Sequence, residues 1–306
     1  MGLSITYSQL LIRLAIGSGI NLLLATSAFK RHSVSRSGAV TGFMVGLVIY
    51  LGGGIWFWLH LGAFFISSTL LSRFKREVKA HSTARHEKDG RRDGIQVVAN
   101  TGPGAAAALL FLIYPHFAVL AAFCAAFAAA NADTWAGEIG MLSPRPPVSI
   151  LSRKTLPTGA SGGVTLLGLT ASAAGAAFIA AISSGGLLLT LAVQNLPASG
   201  PGIDLVPVVI AAVSLAMIAT LSGLLGSLLD SILGASLQAE YLCCASGQHT
   251  ERSHTGHRSN TLIKGYRQIT NDTVNLLSVS AAAIAAFLLA VVLPLPAGAG
   301  LFSWYA

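Results

Sequence analysis

Apolar residues run through this chain in long blocks, and polar residues are confined to the gaps between them. The blocks place membrane crossings at roughly 9–29, 38–52, 55–72, 95–113, 117–133, 162–182, 205–224 (extendable to 236) and 274–293. Most approach the ~20 residues an α-helix needs to cross a hydrocarbon core. Alternating ten-residue strands of an outer-membrane barrel are absent. The expected fold class is all-α: a polytopic helical membrane protein of about eight transmembrane helices (range 6–9), forming one integral-membrane domain over 1–306. The stretch from Gly38 to Ser72 is divided at Gly52-Gly53-Gly54 because of its length. As one helix it would exceed about 50 Å at ~1.5 Å per residue, against a ~30 Å core. The first block has a single interior charge, Arg13, and no small-residue cleavage site, so it is read as a retained helix.

Composition removes the soluble alternative. Hydrophobic residues make up 53% of the chain and charged residues 10%. Charge then orients it. Every Lys and Arg except Arg13 falls in 30–37, 73–94, 134–161 or 237–273, while the opposite segments 114–116, 183–204 and 294–306 have none. By the positive-inside rule the basic segments are cytoplasmic, with main loops at about 73–94, 134–161 and 237–273, and both termini are non-cytoplasmic. In a bacterium this would be a protein of the inner membrane.

Chemistry concentrates at one end of the apolar blocks. Asp133, Glu138, Asp230 and Asp272 sit within or at the edge of apolar segments, all at predicted cytoplasmic helix ends. A carboxylate at membrane depth costs several kcal/mol unless compensated. Four in one layer call for a cation, and Mg²⁺ suits hard oxygen ligands and bridges phosphates. For each acid alone, capping or an interhelical hydrogen bond is the simpler role, most of all for Asp272 at a helix start. The run 145–163 adds Arg145, Arg153 and Lys154, then Gly159, Ser161, Gly162 and Gly163 in a Gly-rich helix entry. Cations and backbone N–H groups there form a candidate phosphate site, although Lys154 precedes the glycines and the P-loop spacing is not met. Gln96 and Asn100 share one face of a helix, where they either bond a neighbouring helix or line a pocket. Cys243, Cys244, His249, His254 and His257 lack a common zinc spacing. His254 is kept as a substrate contact, and Cys124 reads as a small core residue.

Three segments then carry a resemblance. NADTWAGEIGMLSPRP with LPTGASGGVTLLG, GSLLDSILGASLQ, and His254-x-Gly256 followed by Gly265 and Asn271-Asp272-Thr273-Val274-Asn275 occur in this order. Together they resemble the integral-membrane family that includes plant phytyl-phosphate kinase and human transmembrane protein 19, over about 37–290. This chain departs at Ser161, where the family has Asn, and at His254-Thr255-Gly256, where it has His-Cys-Gly. The resemblance implies Mg²⁺-dependent phosphoryl transfer from a nucleoside triphosphate, CTP being expected, to a prenyl monophosphate of phytyl or geranylgeranyl type. Asp133, Asp230 and Lys154 are the candidate catalytic residues, and Asp133, Glu138, Asp230 and Asp272 the candidate metal ligands. Arg145, Arg153, Lys154, Gly159, Ser161, Gly162, Gly163 and His254 would bind the nucleotide. Membrane lipids are expected partners and nucleic acid is not. A secondary transporter with carboxylates on an ion path, or a membrane nucleotidyltransferase, is the competing reading; the transporter would need acids near the midplane.

Overall fold

The computed structural model describes residues 7–83, 91–194 and 205–293; the loop residues 84–90, the segment 195–204 and the tail 294–306 singled out above lie outside them. The described helices are α1 (Tyr7–Lys30), α2 (Arg36–Arg73), α3 (Arg76–Thr83), α4 (Gly94–Ile113), α5 (Phe117–Gly140), α6 (Leu166–Gln194), α7 (Leu205–Ser236) and α8 (Asn271–Val292). All but α3 are long and apolar enough to cross a membrane.

The long helix α2 bends back on itself. Gly53 and Gly54 leave helical geometry, and Gly54 takes φ +62°, where a side chain is strained. A straight helix of 38 residues would separate its ends by about 57 Å at ~1.5 Å per residue. Instead Arg73, at its last turn, donates from Nη2 to the carbonyl of Arg31 at 2.9 Å and to Ser33 Oγ at 3.0 Å, just ahead of its first turn. The arms before and after the glycines are therefore antiparallel. Among the described residues, seven apolar helices supply eight arms, because α2 contributes two.

Helix α5 is the axis of the bundle. Its run Phe117–Ala132 is buried throughout, and it packs against α2, α4, α6, α7 and α8. Alanine makes this possible. Small side chains let neighbours approach closely, the mode of helix packing that lipid surroundings favour. A Cβ on Gly223 or Gly226 of α7 would stand 2.7 Å from Ala128 or Ala129. At its start α5 contributes Phe123, stacked on Phe57 at 3.9 Å. Cys124 is fully buried there, as a small core residue.

The other ends of the arms gather the polar residues. Ser35 caps α2 and its N–H donates to Arg92 O at 2.9 Å, tying α2 to the start of α4, which Asp93 caps through Gln96 N. Two helices run further than the apolar pattern suggested, α5 to Gly140 and α6 to Gln194, and α7 takes the longer of the two ends considered for it, at Ser236. Between α5 and α6, β1 (Val148–Ser149) pairs with β2 (Gly163–Val164). The segment after α7, read from sequence as loop, holds β3 (Glu240–Leu242), β4 (His249–Thr250), β5 (His254–Thr255), β6 (Arg258–Ser259) and β7 (Thr261–Lys264). β4, β3 and β7 form one small sheet, and β5 and β6 a hairpin.

Candidate active site

Two cavities meet at this polar end, and Asp133 borders both. The first, of about 310 Å³, is amphipathic. Leu24, Ala25, Leu61 and Phe64 line its apolar part, between α1 and the folded-back α2. Its polar part is bordered by Arg91, Arg92, Asp133, Glu138, Asp272 and Asn275. Gln96 and Asn100 border it too, so of their two possible roles they line a pocket; Asn100 Nδ2 donates only within its own helix, to Gln96 O. Arg92 lies 5.9 Å and 5.7 Å from the ring centroids of Phe64 and Phe65. Burial draws its guanidinium below the ordinary arginine range, and Glu138 pulls the other way.

The second cavity, of about 200 Å³, lies between α5, α6 and α7. Gly137, Gly140 and Gly168 open it, because each leaves the α5–α6 crossing without a side chain. The Gly-rich turn 158–163 forms one wall and Asp230 another. Gly159 and Gly162 take φ of +82° and +78°, the left-handed region glycine tolerates, while Ala160 N and Gly163 N donate within the turn, to Pro157 O and Ala160 O. Gly162 is also a packing position: a Cβ there would meet Ala235 of α7 at 2.4 Å. Ser161 donates to Glu251 Oε1 at 2.6 Å, and the buried Gln238 amide bonds both Ser161 Oγ and Glu251 Oε1, at 3.0 and 2.8 Å. This three-way contact fastens the turn to the end of α7 and to the strand segment. Glu251 and Asn271 border both cavities.

The acids are distributed and not clustered in one cage. Asp230 accepts from Ser278 Oγ at 3.1 Å and lies within electrostatic reach of Asp133 and Glu251. Glu138 is held by Lys79 Nζ and Ser72 Oγ, both at 2.5 Å, and faces the first cavity. Asp272 is buried in the first turn of α8, whose cap is Thr270, so it does not fill the capping role considered for it. Among the described residues no group of three or more His, Cys, Asp or Glu stands ready to hold a metal ion. That covers the strand-segment cysteines and histidines as well.

The cations expected at the phosphates are placed elsewhere. Arg145, Arg153 and Lys154 are exposed and border neither cavity. The reason is local: Ser149 N donates to Lys154 O and Arg153 N to Ser149 O, closing a tight turn beyond the β1–β2 pair, with Arg153 at φ +57°. The cations that do border the site are Arg91 and Arg92, with Lys79 reaching it through Glu138. His254 is exposed and borders neither cavity. Sequence reasoning missed Glu251, Gln238 and Asn271. It read the segment of Lys79, Arg91 and Arg92 first as a solvated charged loop, with a share in binding an anionic substrate as the alternative. The signal available for the arginines was their position immediately before the helix carrying Gln96 and Asn100.

These features define an α-helical integral membrane protein whose buried and half-buried carboxylates face an amphipathic cavity on one side and a glycine-walled one on the other. Residues 19–283 match the family described as integral membrane protein DUF92, and the chain belongs to that family. It is 28% identical to Protein PGR of Arabidopsis thaliana over 246 residues, covering 76% of this chain and 81% of that protein. It is 21% identical over 280 residues to the Arabidopsis Protein VTE6, chloroplastic, covering 90% of this chain and 71% of the relative. An uncharacterized membrane protein of Methanocaldococcus jannaschii is 27% identical over 178 residues, 56% of this chain and 70% of its own length. No solved structure matches.

Proposed function

We propose that the protein is a prenyl-phosphate kinase, transferring a phosphoryl group from a nucleoside triphosphate to an isoprenoid monophosphate. The observation that carries this is the shared wall: Asp133 borders an amphipathic cavity and a glycine-walled one at once. An amphipathic cavity between helices suits a lipid with a phosphate head. The apolar side takes the chain, and Arg91 and Arg92 take the head group. A turn with two left-handed glycines suits the phosphates of a donor. The family that includes plant phytyl-phosphate kinase supplies the reaction class and CTP as the expected donor. The acceptor oxygen is already anionic, so positioning and charge neutralisation provide most of the acceleration, and no strong general base is needed.

The acids fit Mg²⁺ bound with its substrate. Mg²⁺ keeps several waters and takes one or two carboxylates plus phosphate oxygens, in contrast to a closed cage of side chains. Asp133 and Asp230 would hold it, within reach of the Glu251 charge. A Mg²⁺ ion held there would supply charge neutralisation at the transferring phosphate. Ser278 orients Asp230 through its hydrogen bond, and the Lys79–Glu138 pair holds the last turn of α5 against α3. The carboxylates lie at one end of the helices, which disfavours a transporter path through the midplane.

The test is turnover by the purified protein in nanodiscs, with several nucleoside triphosphates offered against phytyl, geranylgeranyl and longer prenyl monophosphates. Prenyl diphosphate formed only with Mg²⁺ is the expected product. No diphosphate from any pairing would overturn the reading.

A further inference from the structure

A third cavity, of about 290 Å³, lies over the small sheet, and the phosphoryl-transfer scheme above makes no use of it. Tyr241 of β3, His254 of β5, Asn260 and Arg267 border it. So do Glu251 and Asn271, which border the other two cavities as well. The three spaces therefore adjoin at one place, beside the Gly-rich turn that Glu251 fastens.

Its chemistry excludes the prenyl chain. Ala239 is its one lining residue without a polar side-chain atom. The frame is built independently of any ligand. Asn260 donates to Arg252 O at 2.9 Å and to Thr255 Oγ1 at 3.0 Å, and accepts from Cys244 N at 3.0 Å, so its amide is committed to holding β5–β6. Gly265, at φ +73°, packs the end of β7 against Gln238, where a Cβ would stand 2.2 Å from the carbonyl. Arg267 differs from these. Its side chain is exposed and has no hydrogen bond or ion pair among the described residues. A planar cation and an imidazole on a preformed polar cavity match a ligand with flat faces, ring carbonyls and hydroxyls. A nucleoside is such a ligand. Its position follows from connectivity, because a triphosphate along the Gly-rich turn leaves its nucleoside end beyond Glu251 and Asn271.

We propose that this third cavity is the nucleoside subsite of the donor, with Arg267 and His254 contacting base and ribose. The proposal rests on the donor reading given above and adds where, and by which residues, the nucleoside is recognised. It gives His254 the nucleotide contact expected from sequence, on the strand segment and not at the Gly-rich turn.

Equilibrium binding to the full chain in nanodiscs tests it, using a β,γ-imido nucleoside triphosphate in cytidine and adenosine forms, and inorganic tripolyphosphate. Arg267→Ala and His254→Ala should each weaken the nucleotide on the order of tenfold, the range of one lost polar contact. Both should leave tripolyphosphate affinity within about twofold, since the phosphate contacts remain. Unchanged nucleotide affinity in both variants would overturn the subsite. So would equal weakening of nucleotide and tripolyphosphate, which would make these residues phosphate contacts or supports of the fold. A wild-type chain that binds tripolyphosphate but neither nucleotide also refutes it. Wild type that binds none of the three would overturn the donor reading itself.

Discussion

Arg92 and Lys154 are both cations at the polar end, yet their environments differ in kind. Arg92 is half-buried between Phe64, Phe65 and Glu138 at the amphipathic cavity, whereas Lys154 sits in an exposed turn. A charge-assisted contact in a partly dry site is worth about 1.5–3 kcal/mol, and one in water far less. Arg92→Ala should therefore raise KM for the prenyl monophosphate on the order of 10- to 100-fold, with the nucleotide KM little changed. Its backbone bonds to Ser33 and Ser35 survive the substitution. Lys154→Ala should stay within about threefold of wild type in every constant, as an exposed cation contributes little. Steady-state kinetics with both substrates varied checks the pair. A loss at Lys154 as large as that at Arg92 would return the phosphates to the β1–β2 turn. Asp230 was legible because it interrupts an apolar run, and Asp133 and Asp272 because each stands at the edge of one. Glu251 was not, since it lies among His249, Arg252 and His254 in a segment whose polarity is uniform. Only folding shows that its carboxylate meets Ser161, ninety positions earlier.

Among the elements, α2 was the most accurately foreseen, from its length, the parity of the crossings and its two basic ends. A stretch too long for one crossing, with basic residues at both ends and three glycines in the middle, has to turn back. Gly54 takes the left-handed conformation at that turn. Gly54→Val should destabilise the protein by about 1–3 kcal/mol, because a β-branched side chain resists positive φ. Space is not the obstacle, as a Cβ there meets nothing within 4 Å. Gly54→Asn, which tolerates that region better, should recover part of the loss. Thermal unfolding in detergent reads both, and a Gly54→Val variant as stable as wild type would remove strain as the explanation. The strand segment was not legible. Its strands are two to four residues long, below the length at which alternation can be seen, and their register is set by contacts such as Gly265 on Gln238. The Gly-rich turn was read as a helix entry or an anion site. Its second role, packing Gly162 against Ala235, depends on a helix seventy residues away.

At the scale of the whole molecule, the one-sided placement of Lys and Arg and the gathering of acids at helix ends point to the same architecture. Antiparallel arms bring every such end together, and the alanine-rich α5 lets α7 and α8 close around it tightly enough for Asp133 and Asp230 to interact. What charge distribution alone does not reveal is that the gathered residues surround separate spaces with a common wall. That division is the centre of the account. The proposed function puts acceptor and donor on two sides of Asp133, so the residue should matter to transfer and much less to binding either partner. The direct measurement compares wild type with Asp133→Asn in nanodiscs, determining prenyl diphosphate formation and, separately, the affinity for each substrate alone. We expect turnover to fall on the order of 10²- to 10³-fold, the usual loss of one electrostatic contact to the reacting group, with both affinities within about tenfold. Turnover within a few-fold of wild type would contradict it.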